Sequence, residues 1–243
     1  MAVLNNVALD QLLLLDIETT PLTAAFNHLP AGLQALWLEK NAKIAPDSEE
    51  EGDHYFEKAA LYAEFGKVVC ISAGFFHVEN GHYQLRIKSF CGDDEKEVLT
   101  GFLELVHKFF TKYPRFQFAG HNIREFDIPY LCRRTLINGL LLPAPMHLHN
   151  LKPWEMPLLD TMQIWRFGEF RNYASLNLLA TVLGIPTPKD DINGGMVGKV
   201  YWEERNLPRI VEYCQKDVLT VGQLLLRFKG LPLLENENVQ IVR

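Results

Sequence analysis

The sequence predicts an α/β fold: a mixed sheet with helices packed against both faces. Three observations predict it. Two apolar runs, residues 11–18 and 67–76, have the continuous hydrophobicity of strands buried on both faces. Asn80-Gly81 separates the second run from the alternating stretch 83–88 and is a hairpin turn signal. Beyond that point, helical periodicity and short strands take turns, as β-α-β crossovers require.

Each element has its own reason. Residues 1–10 form a lead-in, and Leu12-Leu13-Leu14-Leu15 makes residues 11–18 the first strand. Residues 22–64 interrupt the rhythm and are treated as an insertion, helical at Ala31 to Leu38 and at Phe56 to Phe65. The acidic run Asp47 to Asp53 inside it reads as a solvated loop. In 83–88, Tyr83, Leu85 and Ile87 share one face and Gln84, Arg86 and Lys88 the other, so strand three is half exposed near an edge, antiparallel to strand two. Asp94 with Glu97 can form a capping box. Val98, Phe102, Leu105, Val106 and Phe109 then follow at helical spacing, ending before Pro114.

Residues 116–120 are a short fourth strand, followed by a loop from His121 to Asp127. A helix starts near Pro129 and ends near Gly139. Residues 143–157 hold four prolines and are irregular, and Pro157 to Asp160 is strand five. Ser175 caps a helix through Leu183, closed by Gly184. The Gly-rich loop Asn193 to Gly198 precedes the last long helix, Leu207 to Phe228. A hairpin followed by crossovers, with strands 1–3 antiparallel and strands 1, 4 and 5 parallel, is the strand pattern of a ribonuclease H-like fold. The 243 residues are expected to form one domain.

Composition narrows the function classes. Hydrophobic residues are 48% and charged residues 22%, ordinary for a soluble globular chain. The net charge of −6 argues against a protein that coats long duplexes, which needs a basic footprint. An enzyme gripping one strand end stays open, because bound cations offset a carboxylate site. Cys70, Cys91, Cys132 and Cys214 are scattered, without a Cys-x-x-Cys pair, and read as reduced thiols. No apolar run reaches membrane-spanning length and no basic n-region marks a signal peptide, so the expected location is cytoplasmic.

The chemistry starts at Asp16-Ile17-Glu18. Two carboxylates two apart on a strand point the same way, and at the end of a buried strand they repel. A divalent cation with oxygen ligands relieves that repulsion. Asp127 follows strand four, and Tyr213 and Asp217 lie one turn apart on the last helix. Singly, each has a plain explanation. Asp127 two residues before Pro129 reads as a helix cap, Tyr213 with Asp217 as a surface pair, and Asp160 as the cap of the helix it precedes. Their joint order is what carries weight: Asp-x-Glu on strand one, Asn-x-x-x-Phe-Asp after strand four, Tyr-x-x-x-Asp on the last helix.

These three motifs resemble the DEDD 3′–5′ exonucleases. Tyr213 places the chain with the DEDDy subgroup, since Glu212 stands where the DEDDh subgroup carries histidine. The likeness is greatest to the predicted exonucleases related to the proofreading domain of family B polymerases, over roughly residues 11–228. The segment Ser175 to Ala180, continuing through Leu183-Gly184-Ile185, is also similar to one in these enzymes. The resemblance implies Mg²⁺ or Mn²⁺, two ions, held by Asp16, Glu18, Asp127 and Asp217. Tyr213 would orient the attacking water, because its normal pKa near 10 makes it a poor base. Asn122, Phe126, Thr19 and Thr20 become candidate substrate contacts, and Arg124, Lys199 and Lys216 candidate phosphate contacts. The implied function is release of nucleoside monophosphates from the 3′ end of single-stranded DNA, with RNA open and DNA repair one setting. The alternative is a catalytically silent nucleic-acid-binding or scaffold domain that kept the fold.

Overall fold

The computed structural model describes residues 4–46, 52, 54–186 and 192–242. Apart from Gly52, the expected acidic loop at 47–53 lies outside the described residues. In chain order the elements are β1 (Leu12–Pro21), α1 (Ala31–Ile44), α2 (Tyr55–Lys58), β2 (Gly66–Glu79), β3 (His82–Cys91), α3 (Glu95–Lys112) and β4 (Gln117–Gly120). Then come α4 (Asp127–Ile137), β5 (Leu158–Asp160), α5 (Thr161–Arg166), α6 (Leu176–Val182), α7 (Val197–Trp202), α8 (Leu207–Phe228) and β6 (Val239–Val242).

The sheet runs β5-β4-β1-β2-β3-β6. β1 and β2 are antiparallel, as are β2 and β3, whereas β1, β4 and β5 are parallel neighbours. The β2–β3 loop is two residues, Asn80 and Gly81, both with positive φ, as a primed turn requires. Alternation along β1 divides the core. Leu13, Leu15 and Ile17 pack under α3 and α4 with Phe102, Val106, Ile128 and Leu131. Leu12 and Leu14 pack on the other face under α6 and α8 with Leu179, Val218, Val221 and Leu225. Asp16 and Glu18 continue the second register, which aims them at α8.

Three expectations change. β3 is not at the edge, because β6 pairs with it in parallel, from Leu85 opposite Val239 to Lys88 opposite Val242. Four residues of alternation after Asn236–Asn238 are too short a signal to read beforehand. The first strand runs three residues past Glu18, to Pro21, and the second opens at Gly66, so the two stay paired beyond the carboxylates. In the insertion, α1 continues to Ile44, while the stretch expected as one helix from Phe56 to Phe65 breaks into α2 and a 3₁₀ turn at Ala59–Leu61. This segment builds its own small core. Trp37 is fully buried and meets Tyr55 and Phe65 edge-on at ring separations of 5.3 and 5.2 Å.

Candidate active site

The site forms where β1, α4 and α8 converge. A bulge lies between the pairs Glu18–Cys70 and Thr19–Val68, leaving Val69 as the extra residue of β2. Its consequence is visible in the packing: Val69 and Cys70 both join the cluster under α7 and α8, with Val197, Ile210 and Cys214. Gly120 ends β4 where a Cβ would come within 2.8 Å of the Leu15 carbonyl, so a side chain there would push the following loop off β1.

The five expected residues meet here. The Asp217 charge bears on Asp16, Glu18, Asp127 and Tyr213. Carboxylate oxygens of Asp16 and Glu18 and the Cys214 thiol lie within 4.8 Å of one another. Asp127 is buried, and its Oδ1 accepts a hydrogen bond of 3.2 Å from the Ile17 amide, between the two strand acids. Tyr213 is half-buried, and its phenol hydrogen-bonds to Asp217 one turn on.

Electrostatics follow from this crowding. Burial first, then the Asp217 and Asp127 charges, hold Asp16 well above the usual carboxylate range. Burial, then Asp16 and Asp217, do the same to Glu18. Burial pushes Asp127 up to about 7. The Tyr213 phenol is pushed up from its ordinary value by burial, then by Asp217, Glu18 and Asp16. Oδ2 of Asp16 is shielded from solvent and has no hydrogen-bond partner. A buried carboxylate oxygen without a donor, among acids that raise one another's pKa, is the donor set a hard divalent cation fits.

The four expected substrate contacts fall in different places. Asn122 takes a left-handed backbone, φ 64°, which asparagine tolerates. Its Oδ1 is buried without a partner. Phe126 is half-buried with its ring 5.3 Å from that of Tyr130. Thr19 donates its hydroxyl to the Ala60 carbonyl at 2.9 Å, which ties the insertion to β1. Thr20 is fully buried, so its side chain reaches no surface. Of the cationic candidates, Lys216 pairs with Glu212 at 2.9 Å, the Arg124 guanidinium donates to the Pro153 carbonyl, and Lys199 is exposed. His121 bonds Thr161 and the Ala174 carbonyl, at 2.9 and 2.8 Å.

Two features escaped the sequence. Asp160 does cap α5, accepting from the amides of Met162 and Gln163, but its carboxylate also accepts from the amides of Asn122 and Arg124. It therefore fixes the loop that carries Asn122 and Asp127. The signal was the position of Asp160 at the end of β5, beside Gly120 of β4. Cys214 is the other: its thiol donates to the Asp16 carbonyl at 3.4 Å and walls the acidic cluster from behind.

A mixed α/β sheet of this order, with acids gathered at the end of its central strand, defines a ribonuclease H-like chain of the polymerase-exonuclease type. The chain belongs to the family described as "Predicted 3'-5' exonuclease related to the exonuclease domain of PolB", matched over residues 59–236. The matched segment holds Asp127, Tyr213 and Asp217; β1, with Asp16 and Glu18, precedes it. Among solved structures, the family B DNA polymerase from the hyperthermophilic archaeon Pyrobaculum calidifontis is similar in fold, at a TM-score of 0.51 and 17% identity. The match covers 88% of this chain and 24% of that one, so this chain spans about a quarter of the polymerase's length. No curated protein matches the sequence. Among the described residues, no helix is long and apolar enough to cross a membrane.

Proposed function

We propose that the chain is an active, divalent-metal-dependent 3′–5′ exonuclease that releases nucleoside monophosphates from the 3′ end of a single strand of DNA. The observation that carries this is the unpartnered, shielded Oδ2 of Asp16 inside a ring of three further acids and a phenol. An inert domain would bear the repulsion of these groups with nothing in return.

Asp16, Glu18 and Asp217 would hold one Mg²⁺ or Mn²⁺ ion, and Asp16 with Asp127 a second. When bound, the ions supply an activated water and charge relief at the leaving oxygen. The chain's own residues do the rest. Tyr213, its phenol held protonated by burial and by its acidic neighbours and bonded to Asp217, orients the attacking water by accepting a hydrogen bond from it. Asn122, fixed through its backbone amide by Asp160 at 3.0 Å and only half-buried, turns its side-chain amide to the terminal nucleotide. Phe126 packs beside the terminal base. Thr19 and Thr20 act from behind, holding the strand end that carries Glu18. A 5′-labelled single strand incubated with Mn²⁺ should shorten stepwise from its 3′ end. The Asp16→Ala variant should release nothing, and release at the wild-type rate by that variant would refute the site.

A further inference from the structure

Four large aromatic side chains stand in solvent within twenty residues of one another. Trp154 is 77% exposed, Phe167 75%, Phe170 93% and Tyr173 66%. Large aromatics gathered in solvent around one loop are the kind of exposed apolar surface that marks an interaction site. Both flanks of the patch are bonded to the loop that carries Asn122 and Asp127. On one side, the Arg124 guanidinium donates to the Pro153 carbonyl, immediately before Trp154. On the other, Arg166 pairs with Glu125 at 2.9 Å, donates to the Asn172 carbonyl at 3.0 Å, and lies over the Tyr173 ring at 4.5 Å. His121 bonds the carbonyl of Ala174, next to Tyr173.

Two details separate this patch from incidental exposure. Lys152 lies 5.5 Å from the Trp154 ring centre, so two of the four rings carry a cation. Phe167 sits in left-handed backbone, φ 46°, a conformation that a bulky side chain rarely adopts and that glycine takes without strain. The chain thus bears a backbone cost to hold an aromatic ring in water at this point.

We infer that Trp154, Phe167, Phe170 and Tyr173 form a stacking track for the unpaired strand that leads to the site. The occupant is single-stranded DNA, its bases stacked on the rings and its phosphates beside the exposed Lys152. The inference rests on the proposed exonuclease function for its direction, but not for its binding chemistry. Base stacking on aromatic rings tolerates any sequence, because every base has a π-face. The bonds that tie both aromatic-bearing segments to the loop of Asn122 and Asp127 favour a strand over a protein partner.

The test uses a 5′-fluorescein 12-nucleotide mixed-sequence DNA strand and the full chain. Binding is read by anisotropy in chelator, where no hydrolysis occurs. Hydrolysis is read with Mn²⁺ on the same strand and on the p-nitrophenyl ester of thymidine 5′-monophosphate, which is too short to reach the track. Phe170→Ala and Tyr173→Ala should each weaken strand binding about tenfold, as expected for one lost stack. They should raise KM for the strand and leave the ester unchanged. Phe167→Gly should also weaken binding, while its melting temperature stays level or rises. Strand binding should quench Trp154 fluorescence, and Trp154→Phe should remove the quench. Wild-type affinity in all three weakened variants would overturn the track. So would a wild-type chain that binds no strand yet changes its oligomeric state when the aromatics are removed. Failure of the wild type to cleave either substrate while the binding losses persist would overturn the exonuclease function and leave the track standing.

Discussion

Oδ1 of Asp127 accepts a hydrogen bond from the main-chain amide of Ile17, 110 residues earlier, at 3.2 Å. Ile17 separates Asp16 from Glu18, so one bond locks the first residue of α4 to the strand that carries the other two acids. This bond needs an acceptor oxygen but not a charge. Asp127→Asn should keep it, fold normally and lose at least about a hundredfold in rate, because the charge of a proposed ligand is gone. Asp127→Ala should lose the rate and also about 1–2 kcal/mol of stability relative to Asp127→Asn, since the buried Ile17 amide is left without a partner. Urea melts of both variants, beside single-turnover rates, check the split. Equal stability would mean that the bond is not holding α4 to β1.

The crowded acids also predict how stability depends on pH. Burial raises Asp127 to about 7, and Asp16 and Glu18 are raised well above their ordinary values. A raised carboxylate holds a proton in the folded chain that the unfolded chain has released. Its stabilising effect is complete below the unfolded value, near 4, and is lost as pH rises through 7. Asp127 alone therefore costs the metal-free protein on the order of 2–3 kcal/mol between pH 5 and pH 8. In chelator, the melting temperature should fall by roughly 5–10 °C across that range. Asp127→Asn should remove much of the fall. Mn²⁺ should raise the melting temperature more at pH 8 than at pH 5, because the proposed cation site needs its carboxylates ionised. A metal shift equal at both pH values would contradict the assigned charges.

Asp160 tests the support beneath the site. Its carboxylate accepts from four amides, those of Asn122, Arg124, Met162 and Gln163, and is almost fully buried. Asp160→Ala should cost about 2–4 kcal/mol, since a helix cap and two loop bonds go together. Asp160→Asn, which keeps an acceptor, should recover part of it. Because Asp160 touches no expected metal ligand, Mn²⁺ should still raise the melting temperature of Asp160→Asn, while kcat falls through looser placement of Asn122. Loss of the metal shift in that variant would make Asp160 part of the cation site.

What the sequence made legible was what period and local chemistry encode. β1 was readable because four leucines need two buried faces, and the hairpin because Asn80-Gly81 suits positive φ. The helix bounds Leu207–Phe228 follow from one long amphipathic run. The convergence of Asp16, Glu18, Asp127, Tyr213 and Asp217 was legible only as an ordered set of motifs, since any single acid has a capping or surface explanation. What remained hidden depended on contacts between distant segments. β6 needs β3 as a template, Asp160 needs the loop from β4, and the bulge opposite Glu18 arises only when β1 and β2 pair. Thr19 and Thr20 look available in the sequence because nothing local shows the insertion folding over them, which the bond from Thr19 to Ala60 requires.

Tyr213 and Asp217 sit one turn apart on α8, and their proposed roles differ in kind. Asp217 carries charge that bears on every other acid of the site, whereas Tyr213 carries a proton that its neighbours keep in place. Removing the phenol oxygen takes away one hydrogen bond to water, worth about 10- to 100-fold in rate if it orients the nucleophile. Removing Asp217 takes away a proposed ligand and should cost about 1,000-fold or more. Tyr213→Phe should therefore stay measurably active and keep its Mn²⁺-dependent melting shift, while Asp217→Ala loses both activity and shift. A phenol acting as general base would add a second mark. Activity would then climb with pH far above 9, where Tyr213→Phe would flatten the profile. The raised phenol predicts instead that both proteins share one pH profile between 6 and 9, set by the carboxylates. Superimposable profiles with a lower plateau in Tyr213→Phe fit positioning, and a profile that loses its alkaline limb in the variant would assign proton removal to Tyr213.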